Sequence, residues 1–507
     1  MNSHAGFHSL REETAASIPM RGDLPPWLRG SLIRNGPGTF SFPDGSEVDH
    51  WFDGLAMVYR FTFDPEDTAD SVTGDDGDGD TDAVHYRNRF LRTDAYEAAT
   101  SGEFEGGFAT GETTLRSRLA TFLAEPYDNA NIVAERVGDA YVALTESPRG
   151  VRFDPDTLET TGYADRDGDA PSGQLSCAHF KRDPATGALV TVDTEFGRTS
   201  RYHVTAWTAD GDRRHVGSVE TDRPAYMHSF ALTPRYVVLT EFPLRLDPRR
   251  FLKPGRQPPF IEQFEWEPER GTRIVVIDRT TGDVVAEPVA DPTFGFHHVN
   301  AFERDGGGEV VFDLETVPDA TAIDSLYLEN VRAGEMGAIA GRIERFTVDL
   351  GTATGTGRYG SGAGEGDRDD ATVSRETLYD AGSALPTASP ARWCREHRYV
   401  YAMGMDTPVT EWARRVLKLD VETGTVETFD AGGDYFGEPI FVPAPDGERE
   451  DDGVVLTVAL DVDADRSRLL VLDGETFTER ARATLSHAVP FDFHGRYFPE
   501  LRAAPGG

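Results

Sequence analysis

One unit recurs along this chain and restricts its fold more than any other feature: an alternating apolar run ending in Asp, a short polar turn holding Thr or Gly, then a second alternating run. It reads RFDPDTLETTGY (152–163), KRDPATGALVTVD (181–193), IVVIDRTTGDVVAEP (274–288), VLKLDVETGTVETFD (416–430) and LLVLDGETFTERARA (469–483). A period of two puts apolar side chains on one face of a strand, and the Asp/Thr/Gly turn reverses the chain, so each copy predicts a β-hairpin. Hairpins spread over several hundred residues with few helical periods between them predict a closed all-β architecture, which a β-propeller satisfies best. The whole of 1–507 reads as one domain, with an N-terminal extension over 1–24. Acidic, low-complexity stretches near 64–83, 350–372 and 444–453 read as surface loops. Helical patterns centre on Thr113–Leu123 and Ile323–Arg332 and are expected to cap one end of the β-scaffold.

Charge excludes one class of partner. Fifty Lys and Arg stand against 88 Asp and Glu, a formal charge of −38, which argues against a nucleic-acid backbone as the main ligand. The acidic residues are dispersed, and lysine is scarce beside arginine, as on the solvated surface of a salt-adapted, halophilic protein; a recognition surface for a basic partner would need one dense acidic block. Cys177 and Cys394 lack a C-x-x-C spacing and indicate neither a disulfide framework nor a zinc–thiolate site. The first twenty residues carry no apolar signal-peptide core, and no apolar run reaches transmembrane length. The expected location is therefore cytoplasmic, with peripheral membrane contact at most. TTLRSRLATFLA (113–124), apolar and locally basic, is the segment to make such contact, although an ordinary capping helix has the same pattern.

Two literal motif matches fail on context. Gly355, Gly357 and Gly360 satisfy G-x-G-x-x-G but run into SGAGEGDRDD rather than an apolar helix, so no helix N-terminus is there to hold a pyrophosphate. The acidic run Asp75–Asp82 lacks a terminal Glu at calcium-loop spacing and reads as a solvated loop. No G-x-S-x-G elbow, H-E-x-x-H helix or P-loop is present.

The histidines carry more. Of 13, several stand in compact segments bounded by strand patterns: SCAHF (176–180), AYMHSF (225–230), FGFHHVN (294–300) and PFDFHG (490–495). Each has an aromatic neighbour, the setting of a dry metal site at the inner ends of strands. A lone histidine of this kind is more often a hydrogen-bonded core residue, and the long, unequal intervals have no metal-ligand rhythm. If they converge, imidazoles suit iron, copper, zinc or nickel, and four of them leave two positions of an octahedral Fe(II) open. Glu146, Glu303 and Glu438 are the carboxylates placed to orient such ligands through their second ring nitrogen.

The segments GSLIRNGPGT (30–39), DHWFDGLAMV (49–58), YRNRFLRTDAYE (86–97), AHFKRDPATGA (178–188), YMHSFALTPRYVVLTEF (226–242), FHHVNAFER (296–304), GEPIFVPAPDGEREDDGVVLT (437–457) and VPFDFHGR (489–496) resemble the carotenoid cleavage oxygenase family, in family order from near residue 25 onward. The resemblance implies a seven-bladed β-propeller with a helical and loop roof over an apolar tunnel, and one Fe(2+) on the axis held by His179, His228, His297 and His494. It leaves His298, His50 and His487 as structural residues. Glu146 and Glu438 match two of the family's three histidine-orienting glutamates, and Thr145 matches a residue bordering an open coordination position. The third glutamate position, just before a Leu/Phe-Pro pair, here reads SALP (383–386), so Ala384 breaks the pattern and leaves one ligand, His297, to be oriented by a water or another acid; Glu303 is not that residue by motif.

YMHSFALTP (226–234), SLYLENVR (325–332) and EREDDGVVL (448–456) are similar to the animal-type branch of β-carotene 15,15′-oxygenases and the retinoid isomerase. The implied activity is dioxygenase cleavage, with O2 as co-substrate, of a carbon–carbon double bond in a carotenoid or apocarotenoid, central cleavage of β-carotene to retinal first among them. Another cleavage position, a stilbene-type substrate, a retinoid isomerohydrolase and a non-catalytic carotenoid-binding propeller are the competing expectations.

Overall fold

The computed structural model describes residues 3–63, 83–104, 107–111, 128–164, 170–208, 212–255, 257–351 and 371–502. All five expected hairpins form: Val151–Phe153 with Thr160–Tyr163, Lys181–Arg182 with Leu189–Glu195, Thr272–Asp278 with Val284–Ala286, Arg415–Asp420 with Val426–Phe429, and Arg466–Asp473 with Glu479–Thr484. Their turns are one structure repeated. Asp154, Asp183, Asp278, Asp420 and Asp473 each accept, through Oδ1, the backbone N–H two residues further on. Four residues after each Asp the backbone is left-handed, at Leu158, Gly187, Gly282, Gly424 and Phe477, and its N–H returns to the Asp carbonyl. An Asp side chain that mimics a backbone turn is why each first strand ends at or just before that residue.

Hydrogen bonding groups the described strands into sheets of ten, seven, five, five, four and two strands, so they do not separate into seven sheets. The ten-stranded sheet unites the two ends of the chain. Ala15–Gly22 pairs with Ala83–Phe90 on one side and with Glu479–Thr484 on the other, while Gly30–Thr39 pairs with His494–Phe498. Residues expected as an N-terminal extension are thus part of the scaffold, with Phe7 and Met20 buried in the core. Their strand is buried only at Ile18 and Met20, which is why its sequence gives little alternation to read.

Among the described residues helices are few, and none is long and apolar enough to cross a membrane. The pattern over Ile323–Arg332 resolves into Thr321–Asp324 and Leu328–Ala333. Between them the backbone is diverted: the Trp51 N–H donates to the Leu326 carbonyl and the Leu328 N–H to the Asp49 carbonyl. The loop at 444–453 is also less solvated than its composition implies. Asp451 receives Lys418 Nζ at 2.9 Å, and Glu450 accepts the backbone N–H groups of Arg398 and Tyr399. The patterns at Thr113–Leu123, Gly355–Gly360 and Asp75–Asp82, and most of the other two acidic stretches, lie outside the described residues.

One part of the core bears directly on the site. Trp51, Phe7, Trp412, Phe491 and Phe493 form a continuous aromatic cluster, with Trp51–Phe493 and Trp412–Phe491 ring centroids 4.4 and 4.6 Å apart. Contacts of this kind hold the loop carrying His494 rigidly against the loop at Trp51.

Candidate metal centre

His179, His228, His297 and His494 converge, each offering one ligand atom, all within 4.8 Å of one another, and all four rings are buried. The topology explains the meeting. His179 precedes the strand Lys181–Arg182, His228 precedes Ala231–Leu232, His297 precedes His298–Arg304, and His494 opens His494–Phe498. Each of these strands is the end strand of a different sheet, so four sheets present their inner edges to one point. Ser229 ties two of the ligand loops together, its hydroxyl donating to the Phe296 carbonyl at 2.6 Å while accepting the His298 N–H.

Three rings are locked from outside. His228 Nδ1 lies 2.5 Å from Glu146 Oε1, His494 Nδ1 2.8 Å from Glu438 Oε1, and His297 Nδ1 2.9 Å from Glu315 Oε2. A ring that donates from Nδ1 to a carboxylate carries its lone pair on Nε2, aimed inward. Among the described residues His179 meets no carboxylate; its Nε2 lies 3.1 Å from that of His228. Burial and the neighbouring imidazoles hold His179, His297 and His494 well below the ordinary histidine pKa, in the neutral form that binds a metal. The buried Nε2 of His297 has no protein partner. An orphaned lone pair facing other imidazole nitrogens is what a cation at their centre would satisfy, so the residues fit a metal.

The carboxylates differ in what supports them. Glu146 also accepts the Tyr226 hydroxyl at 2.7 Å. Glu438 accepts the Gly495 N–H, and burial pushes its carboxyl up to about 7 against the pull of Arg34 and Arg496. Burial pushes Glu315 well above the ordinary carboxylate range, opposed by the Leu385 N–H. Thr145 is buried beside Glu146. Glu303, which sequence setting nominated as an orienting acid, instead accepts Thr233 Oγ1 and the Arg235 N–H and touches no ligand. His298 has both ring nitrogens engaged, by Ser229 and Thr240; His50 likewise bonds Phe52 and Ile323.

Glu315 does not stand at the motif position, here Ala384, from which the family resemblance draws His297's partner. A signal was present: in EVVFDLET (309–316) carboxylates at Asp313 and Glu315 interrupt an apolar run, and a buried strand keeps such groups only when they are paired.

Two cavities flank the centre. One, of about 760 Å³, reaches His179, His297 and His494 past Lys181, Arg182, Glu135 and Arg496. The other, of about 70 Å³, touches His228, His297 and His494 and is walled by Trp51, Phe52, Phe296, Met403, Met405, Trp412 and Phe493. The larger has a charged mouth; the smaller is the apolar one.

The family model described as retinal pigment epithelial membrane protein matches residues 7–499. The chain belongs to this family, the carotenoid cleavage oxygenases. It is 30% identical over 498 residues to the apocarotenoid-15,15′-oxygenase of Synechocystis sp., covering 94% of this chain and 92% of that one. It is 30% identical over 522 residues to carotenoid cleavage dioxygenase 8 homolog A of Oryza sativa (97% and 87% covered) and 28% over 545 residues to the β,β-carotene 15,15′-dioxygenase of Gallus gallus (97% and 98%). The cobalt-substituted Synechocystis apocarotenoid oxygenase has the same fold, with a TM-score of 0.81 at 26% identity and 98% of each chain covered. This carotenoid cleavage oxygenase is accordingly an oxygenase enzyme of propeller type, with a four-histidine site suited to a metal.

Proposed function

We propose that the protein is a non-heme Fe(II) dioxygenase that cleaves a carbon–carbon double bond of a carotenoid or apocarotenoid, and that its substrate is β-carotene, cut centrally to two molecules of retinal. The observation that carries this reading is the meeting of four buried imidazoles, with no carboxylate among the grouped ligand atoms of the described residues, at the end of an aromatic and methionine-lined cavity. His179, His228, His297 and His494 would hold the iron. Bound there, it would supply the activation of dioxygen that no side chain can.

The chain's own residues do the rest. Glu146, Glu438 and Glu315 hold three rings in one tautomer, so the site is organised before substrate arrives. Trp51, Phe52, Phe296 and Phe493 offer apolar surface to a polyene and exclude water from the reacting bond. At about 70 Å³ that space is much smaller than a carotenoid. Thr145 enters the reading as the residue bordering an open coordination position. A seven-bladed propeller belongs to the same reading: the sheets of ten and seven strands would each supply two blades, and the four- and five-stranded sheets one each.

Peripheral membrane contact belongs to the same proposal, because the substrate resides in lipid. The exposed Leu252, beside Arg249 and Arg250, supports it on an otherwise acidic chain. A cytoplasmic location and a salt-adapted surface complete the reading.

Anaerobic purification with iron analysis, then incubation with β-carotene under air and chromatography of the products, tests it. One iron per chain and retinal as product are expected. Apocarotenals of other lengths would move the cleavage position, and conversion of a retinyl ester or a stilbene instead would replace the substrate. Iron without oxygen uptake on any polyene would sink the dioxygenase reading.

A further inference from the structure

We infer that Glu315 is the positioning residue of His297, that the backbone around it is shaped to deliver it, and that the carboxylate's charge is balanced by the metal rather than by a basic side chain. The inference rests on the metal-site reading above and extends it to one residue and one source of charge.

Glu315 is attached to His297 twice. Its carboxylate lies 2.9 Å from Nδ1, and its backbone N–H donates to the His297 carbonyl at 3.0 Å. The strand Glu309–Thr316 is the antiparallel partner of His298–Arg304, so side-chain and backbone contacts share one register. Two neighbours make room and complete the carboxylate's bonding. A Cβ at Gly341 would fall 2.6 Å from Glu315 Cγ, and no left-handed φ requires glycine there, so the need is for space. Leu385 adopts a left-handed φ of +49°, uncommon for a non-glycine residue, and its backbone N–H lowers the pKa of the Glu315 carboxyl against the effect of burial.

The charge has no other counterpart. Glu438 has Arg34 nearby, and Glu146 shares its oxygen with a tyrosine hydroxyl. Glu315 is buried, and among the described residues its one ion-pair partner is His297. A buried carboxylate without a cation is strongly disfavoured. A metal held by His297 through its unpartnered Nε2 would supply the charge through the ring. Glu315 should therefore contribute more to the metal-bound protein than to the metal-free one, which a purely structural carboxylate would not do.

The test uses the full chain, ferrous iron alone as ligand, and the substitutions Glu315→Gln and Glu315→Ala. Gln keeps an acceptor of similar shape without the charge, so it remains informative should Ala fold poorly. Thermal midpoints with and without iron, chelator competition and the spectrum of the nitrosyl adduct are read out. Expected are a metal-free midpoint close to wild type, a reduced rise on adding iron, affinity weaker by about 10–100-fold, and an altered nitrosyl spectrum. Equal loss of stability with and without iron, or wild-type affinity and spectrum in both variants, would overturn the inference alone. Failure of the wild type to bind iron would overturn the metal-site reading itself.

Discussion

Arg34 and Asp492 face each other in the interior, two residues from His494, with Arg34 Nε donating to Asp492 Oδ2 at 2.6 Å and a second guanidinium nitrogen to Oδ1. The Tyr59 hydroxyl joins Asp492, and Arg34 Nη1 also reaches the Glu438 carbonyl at 2.9 Å. One guanidinium thus braces both His494 and the acid that orients it. Asp492→Asn, which leaves the buried arginine short of its counter-charge, should cost about 3–5 kcal/mol, read as a lower thermal midpoint, and should weaken iron retention as well.

The adjacent pair His297 and His298 separates ligand from scaffold. His494→Ala should abolish iron retention. His298→Ala removes a ring that only bonds Ser229 and Thr240, and should cost about 1–3 kcal/mol while leaving most of the iron bound. Iron content after gel filtration ranks the two; the reverse ranking would mean that the ligand set has been misassigned.

His50 predicts an acid-side weakness. Its Nδ1 accepts the Phe52 N–H and its Nε2 bonds the Ile323 carbonyl, an arrangement that only the neutral ring can keep, and burial lowers its pKa from 6.5 to about 4. Because the folded-state pKa is the lower one, the unfolded chain takes up the proton first. Stability is unaffected above about pH 6.5 and falls as the pH drops from there to about 4, by on the order of 3 kcal/mol at most. Urea midpoints at pH 7 and pH 4.5 should differ less in His50→Asn than in the wild type.

The formal charge of −38 predicts the response to salt. Raising NaCl from about 0.1 M to about 1 M shortens the screening length from about 10 Å to about 3 Å and weakens self-repulsion among the dispersed acids. The thermal midpoint should rise over that range. A flat or falling curve would mean that the surface ion pairs outweigh the repulsion.

What was legible in the sequence follows the distance over which each feature is determined. The five hairpins were readable because the Asp side chain, the turn amides and the left-handed fourth residue lie within a few positions of each other. The role of Ala15–Gly22 was not, since its partners are strands near residues 85 and 482. Composition misled at 444–453, where Glu450 and Asp451 point inward to backbone amides and Lys418. At the site, Glu146 and Glu438 were found by motif and stand on His228 and His494. Glu315 was not, because a carboxylate can reach the same ring nitrogen from either of two strands, and a motif records only one.

The pairing of Asn35 with His494 sets an order of events in the life of the molecule. Three of the histidines are translated long before the fourth, and the strand that must receive the fourth is made near the beginning. The four-histidine site is therefore complete only when the two ends of the chain have paired.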